Sequence, residues 1–163
     1  MNQLERESAA REAWGVGDDI RAGELIYERI PPHRRVPWAS GLLALFCSRI
    51  SPPPAVTAVG EIAASEPRWH EAHGAFDAVR LLTLDQERLG VAKDGPLYGL
   101  LLLAENVAKV IYNASGHPAP FDHNAGWWLP QNARFLIRQL HDIEFEKLVV
   151  DALFAPRREK HLQ

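Results

Sequence analysis

The chain has 163 residues, of which 47% are apolar and 24% are charged, and its formal net charge is -3. This length and composition allow a sizeable core and exclude disorder along the whole chain. The acidic balance argues against a dedicated nucleic-acid binder, which usually carries a concentrated basic face, and the single cysteine excludes an intrachain disulfide.

The N-terminal sequence MNQLERESAAREAW is charged and lacks the apolar stretch of a secretory signal. No apolar run approaches the roughly 20 residues that a membrane-spanning helix needs. Cys47 lies in the apolar run LLALFC, which predicts a buried, unreactive thiol. We therefore expect a cytoplasmic protein that has neither a membrane nor a nucleic acid as partner.

Proline and glycine divide the first half of the chain into predicted helices. These are residues 2–14, 18–29, 37–50 and 56–64. The first has a weak apolar face, so residues 1–14 are expected to fray. Asp18 can cap the second helix, which Pro31 and Pro32 stop, and Pro37 can begin the third. The triple proline 52–54 is a stiff connector.

The second half predicts four more helices, at residues 67–89, 96–114, 130–140 and 142–154. The turn Asp94-Gly95 and Pro96 mark the start of the 96–114 helix, and Gly116 can end it. Asp142 is a typical N-cap for the last helix. Residues 156–163 are expected to fray.

Strand signals are thin, because the sequence has no sustained period-two alternation and no Asn-Gly hairpin turn. Fewer than about 60 residues precede the triple proline, too few for a separate stable domain. We predict that residues 1–163 form a single all-α domain, a bundle of about six to eight helices. The apolar helix at about 96–114 is its expected centre.

The central helix changes character at Glu105. Residues 97–104 are apolar nearly all the way round, which is typical of a fully buried segment. The later residues on one arc are polar, namely Glu105, Asn106, Lys109, Tyr112 and Asn113. Either this stripe meets water, with Glu105 and Lys109 as an exposed i to i+4 pair, or it lines a cavity in which the two charges are buried and paired.

The loop GHPAPFDHNAGWW follows this helix directly. It concentrates His117, Asp122, His123, Asn124, Trp127 and Trp128 in a segment that proline and glycine restrict. The imidazoles and carboxylate favour acid-base chemistry or ligand binding. The opposing interpretation makes the tryptophans a hydrophobic plug and the other residues ordinary surface.

The segment WHEAHGAFD places His70, His73 and Asp77 on one helical face. It is not HExxH, because the two histidines are three residues apart, so a hydrated helix face is favoured. The loop spacing matches no standard metal motif either, so no metal site is predicted and the cofactor stays unknown. Signatures for nucleotide binding and for a serine nucleophile are also absent.

Our first hypothesis is a small-molecule pocket between the stripe and the loop, for a ligand whose class is unknown and could be anionic. Its ligand-binding residues would be Glu105, Asn106, Tyr112, Asn113, Trp127 and Trp128. If the site is catalytic, His123 is the general base, Asp122 orients it, and Lys109 stabilises developing negative charge. Whether the protein is an enzyme stays open.

The alternative hypothesis is a helical interaction module, a homodimer or an adaptor. Trp127 and Trp128 would then form a docking patch, because tryptophan is over-represented among interface anchors. Trp14, Trp38 and Trp69 are further candidates for this role.

Overall fold

The computed structural model describes residues 2–90 and 95–155, and within these ranges it contains eight α-helices and no strand. The helices are α1 (Gln3–Gly15), α2 (Asp19–Tyr27), α3 (Pro32–Cys47), α4 (Pro54–Ala63), α5 (Ala72–Arg88), α6 (Pro96–Ala114), α7 (Leu129–Leu140) and α8 (Ile143–Phe154). Short 3-10 helices, Glu66–Glu71 and Ala125–Trp128, precede α5 and α7. The predicted all-α bundle is confirmed.

Helix α6 is the centre of the bundle. Its residues from Gly99 onward are mostly buried, and it packs chiefly against α3, α5 and α7. One apolar core cluster includes residues from all eight helices. The predicted bounds of this helix are confirmed, although Asp94 of the expected turn lies outside the described residues, as do residues 156–163. Within the described ranges no helix combines the length and apolarity that crossing a membrane requires.

Helix α3 begins five residues earlier than its predicted start at Pro37. Pro32 occupies the first turn, where the missing proline N–H has no helical partner to lose. Pro37 then lies inside the helix with its side chain exposed. From the sequence, Pro31 and Pro32 are expected only to end α2. In the structure, Pro32 also begins α3.

Side-chain caps fix three helix starts. In α1 the Asn2 side chain accepts from the Glu5 N–H and the Glu5 carboxylate accepts from the Asn2 N–H, so the segment expected to fray begins with a capping box. Asp18 caps α2, as predicted. Asp142 accepts from the Phe145 N–H, which together with Arg49 holds the pKa of Asp142 below its usual range.

Arg134 ties α7 to the first two helices. Its Nε lies 2.9 and 3.0 Å from the two carboxylate oxygens of Asp19, at the start of α2. Its Nη2 donates to the carbonyl oxygen of Trp14, and the guanidinium lies 3.7 Å from the centre of the Trp14 ring. One side chain therefore satisfies a carboxylate, a helix-end carbonyl and an aromatic face.

Two glycines bring the 3-10 helix Ala125–Trp128 into backbone contact with α2. A Cβ at Gly23 would lie less than 3.0 Å from the carbonyl oxygen of Trp127, and one at Gly126 would lie equally close to the Tyr27 ring. Only a residue without a side chain fits at such an approach. The tryptophan loop is consequently fixed to the bundle.

We expect Gly23→Ala to lower the free energy of unfolding by about 1–3 kcal/mol, because the added methyl displaces a backbone rather than a flexible side chain. Gly41→Ala in α3 is the matched control, since no atom lies within 4 Å of the position that its Cβ would occupy. The control should gain about 0.5–1 kcal/mol from helix propensity. Urea denaturation of both variants measures the difference, and equal stabilisation of the two would contradict the close packing.

Candidate functional site

The carboxylate of Glu105 is buried against α5 and has two partners there. Thr83 Oγ1 donates to Glu105 Oε2 over 2.6 Å, and Arg80 Nη1 donates to Oε1 over 3.4 Å. A buried carboxylate needs such partners, because an unpaired buried charge costs several kcal/mol. The expected i to i+4 pair with Lys109 does not form, since the neighbouring helix supplies the donors.

The two asparagines of the stripe hold neighbouring segments. Asn106 Nδ2 donates to Asn132 Oδ1 of α7 over 2.8 Å. Asn113 Oδ1 accepts from the Phe121 N–H at 2.8 Å, while its Nδ2 donates to the Phe121 and Asp122 carbonyl oxygens, each at 3.2 Å. Because these are backbone groups, Asn113 replaces the partners that a regular element would supply. It thereby fixes the start of the loop.

An aromatic cluster around Phe121 joins that loop to α5 and α6. The Phe121 ring stacks on His73 at 5.0 Å between centres, and it lies 4.9 Å from Phe76 and 5.5 Å from Tyr112. His117 adds a fifth ring, 5.2 Å from Tyr112. From the sequence, the segment with His73 and the segment with His117 are separate candidates. In the structure, both histidines contact Tyr112.

Lys109 borders the same cluster. Its Nζ lies 5.2 Å from the centre of the Phe76 ring and 5.8 Å from that of Phe121, both within the range of a cation–π contact. No carboxylate of residues 2–90 or 95–155 forms an ion pair with this ammonium group. The side chain is half-buried, so the ammonium group lies against the two rings without a countercharge from the described residues.

The two imidazoles of the cluster differ in their Nδ1 partners. His117 Nδ1 accepts the Ala119 N–H at 3.1 Å, which in the neutral ring places the proton on Nε2. His73 Nδ1 lies 3.3 Å from Asp77 Oδ2, one turn along α5. Neither Nε2 atom has a hydrogen bond to another residue of 2–90 or 95–155.

The residues predicted for acid-base chemistry are not joined to each other. Among the described residues, no hydrogen bond or ion pair links the carboxylate of Asp122 to the ring of His123. His123 instead packs edge-on against Trp127, with 5.8 Å between ring centres. Their catalytic roles stay predictions without an orienting contact.

Most of the tryptophans have partners inside the bundle. Trp127 Nε1 donates over 2.9 Å to Oε1 of Glu28, the residue that follows α2, and Trp38 and Trp69 donate to carbonyl oxygens of Leu153 and Ala63. Trp128 differs, because 41% of its surface is exposed. It is therefore the member of the predicted docking patch that a second molecule can reach most readily.

Two other sequence features have simple structural counterparts. Cys47, which the sequence predicts to be buried, is only half-buried, and burial raises the pKa of its thiol. In the described part of the chain, no group of three or more His, Cys, Asp or Glu side chains has a geometry suited to a metal ion.

Comparison with family models, curated proteins and solved structures finds no match to this chain.

The residues that pair with the predicted site residues from distant segments are not apparent in the sequence. Arg80 and Glu28 look like ordinary surface charges, and Phe121 looks like a loop residue between more conspicuous neighbours. Thr83 gives the one usable signal, because it lies on the apolar stripe of α5, where a hydroxyl must find an acceptor.

We expect Thr83→Val to cost about 1–3 kcal/mol of unfolding free energy, because the change leaves a buried carboxylate oxygen of Glu105 without its short hydrogen bond. Thr57→Val on α4 is the control, since Thr57 is exposed and its loss should be nearly neutral. Chemical denaturation of the pair tests this expectation. A Thr83 variant as stable as its control would contradict a structural role for the contact.

Proposed function

We propose that the protein binds a small anionic ligand, one with a carboxylate or phosphate group, beside Lys109. The observation that carries this proposal is the ammonium group of Lys109, which the rings of Phe76 and Phe121 hold and which lacks a carboxylate partner in the described residues. A fixed cation without a countercharge attracts an anion at little ordering cost.

The surroundings of Lys109 suit this role. His117 has its Nδ1 occupied by the Ala119 N–H, so its neutral ring presents an Nε2–H donor. Asn113 anchors the loop that carries this histidine. We assign Lys109 the charge contact. His117, which the rings of Phe121 and Tyr112 connect to Lys109, is assigned an orienting hydrogen bond that would strengthen recognition of an oxyanion.

Three other residues of the predicted pocket, Glu105, Asn106 and Tyr112, then hold the elements around Lys109 in place. Glu105 and Asn106 position α5 and α7 through Thr83 and Asn132, and Tyr112 carries the aromatic contacts. If the bound anion is transformed, His73 is better placed than His123 to exchange a proton, because it contacts both Asp77 and the ring cluster.

The test is an NMR titration of the intact protein with inorganic phosphate and, separately, acetate, at constant ionic strength. The ring signals of His73 and His117 report the site. We expect saturable shifts, and we expect Lys109→Met to weaken phosphate binding by at least about tenfold, because a charge-assisted contact is lost while the aliphatic stem stays.

Lys147→Met is the matched control, since Lys147 is an exposed lysine of α8. It should leave the titration unchanged. Equal affinities for wild type and Lys109→Met, or an equal loss in the Lys147 variant, would refute a site at Lys109 and leave only nonspecific attraction of anions.

A further inference from the structure

The outer face of α5 carries a stripe of four exposed residues that no described element covers. In chain order they are Asp77, Leu81, Leu84 and Arg88, and they lie within about 60° of one another on the helix. Leu81 and Leu84 are 64% and 43% exposed. The stripe therefore reads negative, apolar, apolar, positive along the helix.

This order of charged and apolar residues is complementary to the same stripe on a second α5 that runs in the opposite direction. A two-fold axis between Leu81 and Leu84 would lay α5 of a second copy antiparallel to the first. Asp77 would then face Arg88 of the second copy, Leu81 would face Leu84, and the symmetry would repeat both contacts. Such an isologous arrangement satisfies the same patch twice.

The ion pairs that Asp77 and Arg88 form within α5 are weak enough to be replaced by contacts with a second copy. Asp77 lies 3.3 Å from His73 and Arg88 lies 3.0 Å from Asp85, both within one helix. The Asp77 and Arg88 side chains are 61% and 75% exposed, and such exposed pairs contribute only a few tenths of a kcal/mol. Either charge can exchange its neighbour for a partner at little cost.

The positions beside the stripe also favour close approach. Gly74 and Ala78 are exposed on the same side of α5, and no atom lies within 4 Å of a Cβ built at Gly74. Small residues let two helix backbones approach, so that the leucines reach each other. We propose that the protein forms a homodimer through antiparallel packing of α5 against α5 of a second copy.

Sedimentation velocity over a concentration series tests this proposal with charge reversals. We expect a concentration-dependent dimer whose Kd rises by about tenfold in Asp77→Arg and in Arg88→Asp, because each change places like charges opposite each other twice. The double variant Asp77→Arg/Arg88→Asp restores complementary pairs and should regain the dimer. An equimolar mixture of the two single variants should also associate, because each then faces its complement.

Asp151→Arg and Lys147→Asp, on the exposed face of α8, are the matched controls and should leave the Kd unchanged. Circular dichroism confirms that each variant is folded. A wild-type chain that stays monomeric at every concentration would overturn the proposal. A dimer that tolerates both reversals but dissociates in Trp128→Ala would overturn it as well, by placing the interface at the tryptophan loop.

Discussion

From Gly99 to Asn113, α6 is buried except along one partly exposed stripe formed by Leu102, Asn106, Lys109 and Asn113, and this burial constrains the rest of the bundle. Its first half is apolar apart from Tyr98, whose hydroxyl donates to Glu87, and α3, α5 and α7 cover it. Its second half carries polar groups into a largely buried environment, and the carboxylate and amide groups among them have partners there. Glu105 takes one from α5, Asn106 from α7, and Asn113 from the following loop. These contacts select how the neighbouring segments pack against the central helix.

Local signals predict most of the helices, because caps and prolines act over a few residues. Asp18, Pro96 and Asp142 mark helix starts correctly. Pro37 misleads, because a proline can also lie within a helix whose start is set by an earlier one. The site is harder to predict, since Glu105 has a lysine at i+4 yet pairs with Arg80, 25 residues away. Sequence spacing alone does not tell which helix will be adjacent.

One part of the loop after α6 belongs to the scaffold, and another part belongs to the candidate site. Trp127 satisfies Glu28 and lies where Gly23 admits its backbone, so this part of the conspicuous loop is structural. The Phe121 cluster also contributes apolar packing, yet one charged group lies against two of its rings. Lys109 is that charge, and it has no carboxylate partner among the described residues.

The free energy of unfolding of Lys109→Met tests this account most directly. Methionine keeps the length and apolar stem of the side chain and removes only the ammonium group. If Lys109 serves a ligand, the variant should differ from wild type by less than about 2 kcal/mol, since a cation–π contact contributes about 0.5–1 kcal/mol when exposed and about 2 kcal/mol when desolvated. A loss of about 3 kcal/mol or more, the range for a broken buried ion pair, would show that Lys109 is structural.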